Sequence, residues 1–164
     1  MPPRAAAIDP TLVRIRRARR ADLAALIELE NRTFESDRLS ARQLRRHLDN
    51  PAAVLLVAVR GDDVLGVAVV FSPPRHRAAR LYSIAVSAHA RGAGIGELLL
   101  AAAERAARAR GKSLIRLEVR AENAAAQGFY ERRGYRRFGT KPGFYEDGHD
   151  ALRYEKALAR PVRR

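Results

Sequence analysis

The chain has 164 residues, 47% of them apolar, no cysteine, and a formal net charge of +14 from 32 basic against 18 acidic residues. That length and apolar content suit one domain with a core large enough to be stable unaided, and the missing thiols exclude disulfides, thiolate metal sites and cysteine nucleophiles. The charge invites a nucleic-acid reading, but the basic residues are nearly all arginine in an alanine-rich chain, and few aromatics stand between them to stack on bases.

The four histidines, His47, His76, His89 and His149, show no metal-ligand spacing, so no metal is expected. No stretch reaches the roughly 18 apolar residues of a membrane span, and Met1 to Pro10 has no apolar core of signal-peptide length. The expected location is the cytoplasm, with no membrane partner.

In chain order, residues 1–11 are rich in Pro, Ala and Arg and read as a mobile tail; the domain is expected over 12–158, with a basic tail at 159–164. Val13 and Ile15 alternate with Arg14 and Arg16 as in a half-buried strand. From Asp22, the spacing of Leu23, Leu26, Ile27 and Glu30 predicts a helix. Ser40 caps a second helix through Leu44 and Leu48, which ends before Pro51. Val54 to Val59 and Val64 to Phe71 form a hairpin about Arg60 to Asp63, and Ala79 to Val86 continues the sheet. An alanine-rich helix then runs to about Arg110, with Gly111 as its stop. Leu114 to Val119 is a strand, Ala124 to Arg133 a helix, and Tyr135 to Phe138 with Ala151 to Leu158 are two closing strands. The order is β, α, α, β, β, β, α, β, α, β, β.

The most informative spacing lies between the fourth strand and its helix: Arg91, Gly92, Ala93, Gly94, Ile95, Gly96. Glycines there let the backbone turn sharply and bring N–H groups near a ligand, while the following helix adds partial positive charge at its N-terminus. That suits a pyrophosphate, with Arg91 at the mouth; an ordinary strand-to-helix turn is the plain alternative. The Gly-Lys-Ser/Thr ending of a nucleotide triphosphate loop is absent, and no βαβ unit opens the chain as a dinucleotide fold would require.

This run resembles the acyl-CoA signature Gln/Arg-x-x-Gly-x-Gly/Ala of the GNAT superfamily of N-acetyltransferases, and the element order around it matches over residues 12 to 158. The resemblance implies an α/β (α+β) fold: a mixed, mostly antiparallel, splayed sheet of six to seven strands flanked by about four helices. It also implies acetyl-CoA as cosubstrate, held between the fourth and fifth strands. Ile84, Ala85 and Val86 would bind the pantetheine arm, with a backbone N–H near Val86 for the thioester oxygen; Arg91, Gly92, Ala93, Gly94, Ile95 and Gly96 would take the phosphates, and Glu97 would be a further cofactor contact.

Acetyl transfer needs a base for the amine and an acid for the departing thiolate. Strand alternation places Glu118 with Arg116 and Arg120 on one face, where it reads equally as a solvated ion pair. Tyr130, on the next helix, reads on its own as a packing ring. The segment from Glu118 to Tyr130 resembles the Leu-Glu-Val-Arg-x-x-Asn-x-x-Ala-x-x-Leu-Tyr segment of bacterial ribosomal-protein alanine N-acetyltransferases, with Gly128-Phe129 departing from the usual small residue and leucine. That resemblance implies Glu118 as base, Tyr130 as acid, and Asn123 as a cofactor contact that is also a natural helix N-cap.

The segment Gly143 to Leu152 resembles the tyrosine-bearing loop of N-terminal acetyltransferases, implying Tyr145 and Glu146 as substrate contacts; by itself it reads as a polar hairpin turning at Asp147-Gly148. Phe34 and Glu35 are expected in the opposite wall. The expected acceptor is the N-terminal α-amine of a protein or peptide, with a polyamine or aminoglycoside as the alternative within the class and a non-catalytic CoA- or nucleic-acid-binding module outside it. The basic surface suits a ribosome as partner, and the chain is expected as a monomer or homodimer.

Overall fold

A computed structural model describes residues 7–159. Among these residues, seven strands and four helices follow one another: β1 (Arg14–Arg17), α1 (Leu23–Thr33), α2 (Ala41–Asp49), β2 (Ala53–Arg60), β3 (Asp63–Phe71), β4 (Ala78–Val86), α3 (Ile95–Ala109), β5 (Leu114–Arg120), α4 (Ala124–Glu131), β6 (Arg136–Lys141) and β7 (Ala151–Ala157). None of the helices is long and apolar enough to cross a membrane.

The strands form one sheet in the order β1-β2-β3-β4-β5-β7-β6. Every neighbouring pair is antiparallel except β4 with β5, which run parallel. This is the mixed, mostly antiparallel seven-stranded architecture implied by the sequence resemblance. The element order also agrees; the sheet order adds that β7 inserts between β5 and β6.

Helices cover both faces. α3 packs on one, where Ile95, Leu99 and Leu100 meet Leu56, Ala68, Leu81, Ile115 and Leu117. On the other, Leu26 and Leu29 of α1 and Leu44 of α2 meet Leu55, Val57, Val67 and Val69. With layers on both sides, β2 is buried from Ala53 through Val59, which is why it reads as an unbroken apolar run and not as an alternation. In β5 the alternation survives: Ile115, Leu117 and Val119 are buried, while Leu114, Arg116, Glu118 and Arg120 are only partly covered.

The feature that positions the site is the splay between β4 and β5. They pair only over Ala78–Arg80 against Leu114–Arg116 and then separate. On its other edge β4 shifts register against β3, with Val69 opposite Ser83 and Val70 opposite Leu81, so Tyr82 has no counterpart. A bulge of this kind bends its strand and increases local twist. It falls just past the last β4–β5 pair, where it turns β4 away from β5 and opens the sheet.

The tail boundary needs correction. Residues 1–6 and 160–164 lie outside the described residues, but Ile8 is buried in the core and Asp9 caps a short 3-10 turn over Pro10–Leu12 through the Thr11 N–H at 2.9 Å. The packed chain therefore begins before Leu12. One apolar residue without periodicity is invisible to pattern reading, and its burial depends on a pocket built by distant elements.

Candidate active site

The open sheet leaves a cavity of ≈ 240 Å³ between β4 and β5. Leu81 to Ile84 line it from β4, Leu117 to Arg120 from β5, Asn123, Ala126 and Tyr130 from the α4 segment, Phe34, Ser36, Asp37 and Leu39 from the α1–α2 loop, and Tyr145 from the β6–β7 loop. Of the residues expected at the site, Ile84, Glu118, Asn123, Tyr130, Phe34 and Tyr145 converge here.

Glu118 reaches the cavity because its position in β5 points away from the α3 face. Its side chain is only 9% exposed, and Oε2 accepts a hydrogen bond from Arg80 Nε at 3.2 Å. It is thus a held carboxylate at the cavity wall and not a freely solvated one. Tyr130 is carried by α4, whose N-terminus is set by Asn123: the Asn123 side chain accepts from the Ala126 N–H at 3.0 Å. The Tyr130 ring packs edge-on against Phe129 and Tyr135, with centroids 5.1 and 5.5 Å away. Burial, with Tyr145 nearby, pushes its hydroxyl well above the usual tyrosine range, so it stays protonated. Tyr145 is pushed up to about 12, chiefly by burial, and Arg120 opposes the shift.

A second groove is lined by Val86, Ala90, Arg91, Gly92, Gly94, Ile95, Gly96, Glu97 and Phe129. Gly92 and Gly94 both have φ of 81°, the left-handed region that disfavours side chains. A Cβ at Gly92 would meet no atom within 4 Å, and one at Gly94 only the Glu97 Oε2 at 3.9 Å. The space before the helix is therefore open, and the first amides of α3 point into it without intrahelical acceptors. These features fit the pyrophosphate of acetyl-CoA.

Four expected residues, Ala85, Ala93, Glu35 and Glu146, line neither groove, and Ala93 packs against the α3-side core. Ala85 is buried with the α1–α2 core, leaving its backbone as the group available for binding. Glu97 forms an ion pair with Arg133, whose guanidinium lies 3.9 Å from the Phe129 ring centroid. That same Phe129 faces Gly96, where a Cβ would come within 3.5 Å of its ring, so the departure at Phe129 is accommodated against a glycine. Glu35 and Glu146 are exposed and do not line the cavity; Glu146 contributes its N–H, which donates to Asp37 Oδ1 at 3.2 Å. Ser36 and Asp37 face the cavity instead, a placement that depends on loop conformation and carries no periodic signal, beside Arg120, which strand alternation puts on the Glu118 face.

The comparisons with known proteins agree with this geometry. The acetyltransferase (GNAT) family model matches residues 23–135. A Bacillus subtilis protein, named provisionally as a [ribosomal protein bS18]-alanine N-acetyltransferase, is 29% identical over 143 residues, 87% of this chain and 93% of its own length. Among solved structures, the ribosomal-protein-alanine N-acetyltransferase from Brucella melitensis superposes with a TM-score of 0.76 at 27% identity, covering 88% of this chain and 99% of that one. The ribosomal-protein-S18-alanine N-acetyltransferase from Escherichia coli shares the fold at a TM-score of 0.80 and 24% identity, covering 92% and 96%. With the splayed sheet, the glycine cradle and the family match in agreement, the chain belongs to the GNAT family and is an acetyl-CoA-dependent N-acetyltransferase.

Proposed function

We propose that the acceptor is the N-terminal α-amine of a protein or peptide, acetylated by direct transfer. The observation that carries this reading is the form of the cavity: it is small, bears Glu118 and Tyr130 on β5 and α4, and opens between the α1–α2 and β6–β7 loops, which suits one chain end entering lengthwise. The names of the relatives point the same way, and with them go a ribosomal protein as the carrier of the amine and the cytoplasm as the place of action.

Bound acetyl-CoA supplies the thioester carbonyl and the thiol leaving group. Glu118, held by Arg80, takes the proton that the amine sheds as its nitrogen bonds to the acetyl carbon, directly or through a water. Tyr130, kept protonated by burial, gives its proton to the sulfur as the carbon–sulfur bond breaks. The Val86 backbone N–H, at the end of β4, faces the charge that develops on the carbonyl oxygen. An α-amine has a reference pKa near 8 against about 10.4 for lysine, so a modest base suffices.

The test is CoA release from acetyl-CoA with short peptides, polyamines and aminoglycosides as acceptors. Turnover confined to peptides with a free α-amine is the expected result. Turnover on polyamines or aminoglycosides alone replaces this reading with small-amine acetylation, and acetyl-CoA binding without turnover on any acceptor replaces it with a CoA-binding module.

A further inference from the structure

We infer that Arg120 is a positioning residue for the acceptor, strapping the two acceptor loops together across the cavity mouth so that the entrance admits a single extended chain end. The inference rests on the acceptor reading above and extends it to what sets the shape of the entrance.

Arg120 ends β5, two residues beyond Glu118 and on the same face. Its Nη2 donates to Asp37 Oδ2 at 2.9 Å and to Ser36 Oγ at 2.9 Å, both in loop 34–40. Its Nη1 donates to Asp147 Oδ2 at 2.8 Å, in loop 142–150, and to Glu122 Oε1 at 3.1 Å. The guanidinium carbon also lies 4.2 Å from the centroid of the Tyr145 ring, a second contact to that loop. One side chain therefore touches both walls of the entrance. A planar guanidinium presents its donors in a fixed fork, so it sets the separation of the groups it bridges in a way an ammonium does not.

Asp37 shows that this arrangement is held from outside the loop. It is the one non-glycine residue with positive φ among those described, at 56°. Left-handed backbone costs an ordinary residue about 1–2 kcal/mol, less for aspartate, whose short side chain can bond locally. Here both carboxylate oxygens are engaged: Oδ2 by Arg120, and Oδ1 by the Glu146 N–H from the opposite loop. The contact spans 83 positions in sequence on one side and 27 on the other. Isolated exposed ion pairs contribute little. This one is a network around a guanidinium only 24% exposed, and it lies directly at the cavity lining.

Three carboxylates share that guanidinium, and the His149 Nδ1, 3.0 Å from Asp147 Oδ2, adds a further partner at the outer edge. The acids at the mouth are thus committed to internal contacts. What the entrance offers an acceptor is a fixed width between Ser36–Asp37 and Tyr145, and that favours an extended chain end over a ringed aminoglycoside.

The experiment compares wild type, Arg120→Ala, Arg120→Lys and Asp37→Asn by steady-state kinetics on a peptide and an aminoglycoside, by acetyl-CoA titration, and by amide hydrogen exchange of loops 34–40 and 142–150. In Arg120→Ala, a peptide KM raised about 10-fold is expected, the scale of one charge-assisted contact, with kcat and acetyl-CoA affinity little changed. The Glu146 amide should exchange faster and the preference for peptide over aminoglycoside should narrow. Lysine should restore little of the peptide KM, because it keeps the charge and loses the fork. Asp37→Asn tolerates the same backbone and removes the charge, so it gives the same direction should the alanine variant not fold. An unchanged peptide KM in folded variants overturns the inference, whether or not the loops exchange faster. A wild-type enzyme inactive on every peptide overturns the acceptor reading instead, while the exchange data still report whether Arg120 ties the loops.

Discussion

Arg80 of β4 and Glu118 of β5 join their side chains at 3.2 Å where the two strands stop pairing, so an ion pair bridges the root of the splay and fixes the Glu118 carboxylate at the cavity wall. Glu118→Gln keeps the shape and the contact surface but removes the proton acceptor. Turnover should fall by about 10²- to 10⁴-fold, the scale of general acid–base catalysis, with acetyl-CoA affinity retained. Steady-state kinetics beside cofactor titration check this, and an undiminished rate removes Glu118 as the base.

Tyr130 combines a buried hydroxyl with a ring wedged between Phe129 and Tyr135. Tyr130→Phe preserves the packing and deletes the proton donor, so folding stability should hold while kcat drops by at least about 10²-fold. Single-turnover measurement of CoA release isolates this step. Wild-type kinetics in the variant would reduce the ring to a packing element.

Gly94 opens α3 with a φ of 81° beside empty space. Gly94→Ala should weaken cofactor binding through backbone strain of about 1–2 kcal/mol, roughly 10-fold in affinity. Gly94→Glu adds a negative charge where the phosphates are proposed to sit and should abolish binding. Calorimetric titration with CoA separates the two, and equal losses in both would show that strain alone decides.

Glu30 is a carboxylate in the wrong solvent. It is 1% exposed on α1, Oε2 accepts the Leu39 N–H at 3.1 Å, and Oε1 has no partner. Burial pushes its carboxyl above the usual range, partly opposed by the Leu39 N–H and by the Ser83 hydroxyl. With the folded pKa above the unfolded one, the favourable contribution is complete below the unfolded value near pH 4.3 and is lost as pH rises through the folded value. Glu30→Gln keeps an acceptor for Leu39 and removes the ionisation. Its Tm should exceed that of wild type by a few degrees near neutral pH, the scale of about 1 kcal/mol in a domain of this size, and the gap should close toward acid. Thermal melts across pH test it, and a gap independent of pH contradicts it.

Much of this protein was legible in the residues taken in order. The period of Ile115, Leu117 and Val119 set the faces of β5 and hence the side on which Glu118 lies, and Ser40 marked the N-cap that starts α2. The spacing from Arg91 to Gly96 marked the strand-to-helix turn in which Gly92 and Gly94 take positive φ. These are local properties: backbone preference, side-chain period and helix capping act over a few residues, so a linear reading recovers them. The tertiary structure decided the rest. The bulge at Tyr82 that opens the sheet exists only in the pairing of β4 with β3. Arg116 and Arg153 both lie over Phe138, a pairing that chain order does not reveal. Ile8 was read as tail and packs in the core, and in the α1–α2 loop it is Asp37, not Glu35, that lines the cavity. Each of these turns on contacts between residues far apart in sequence, whose energies depend on the three-dimensional path of the backbone between them; local preference carries no record of that path.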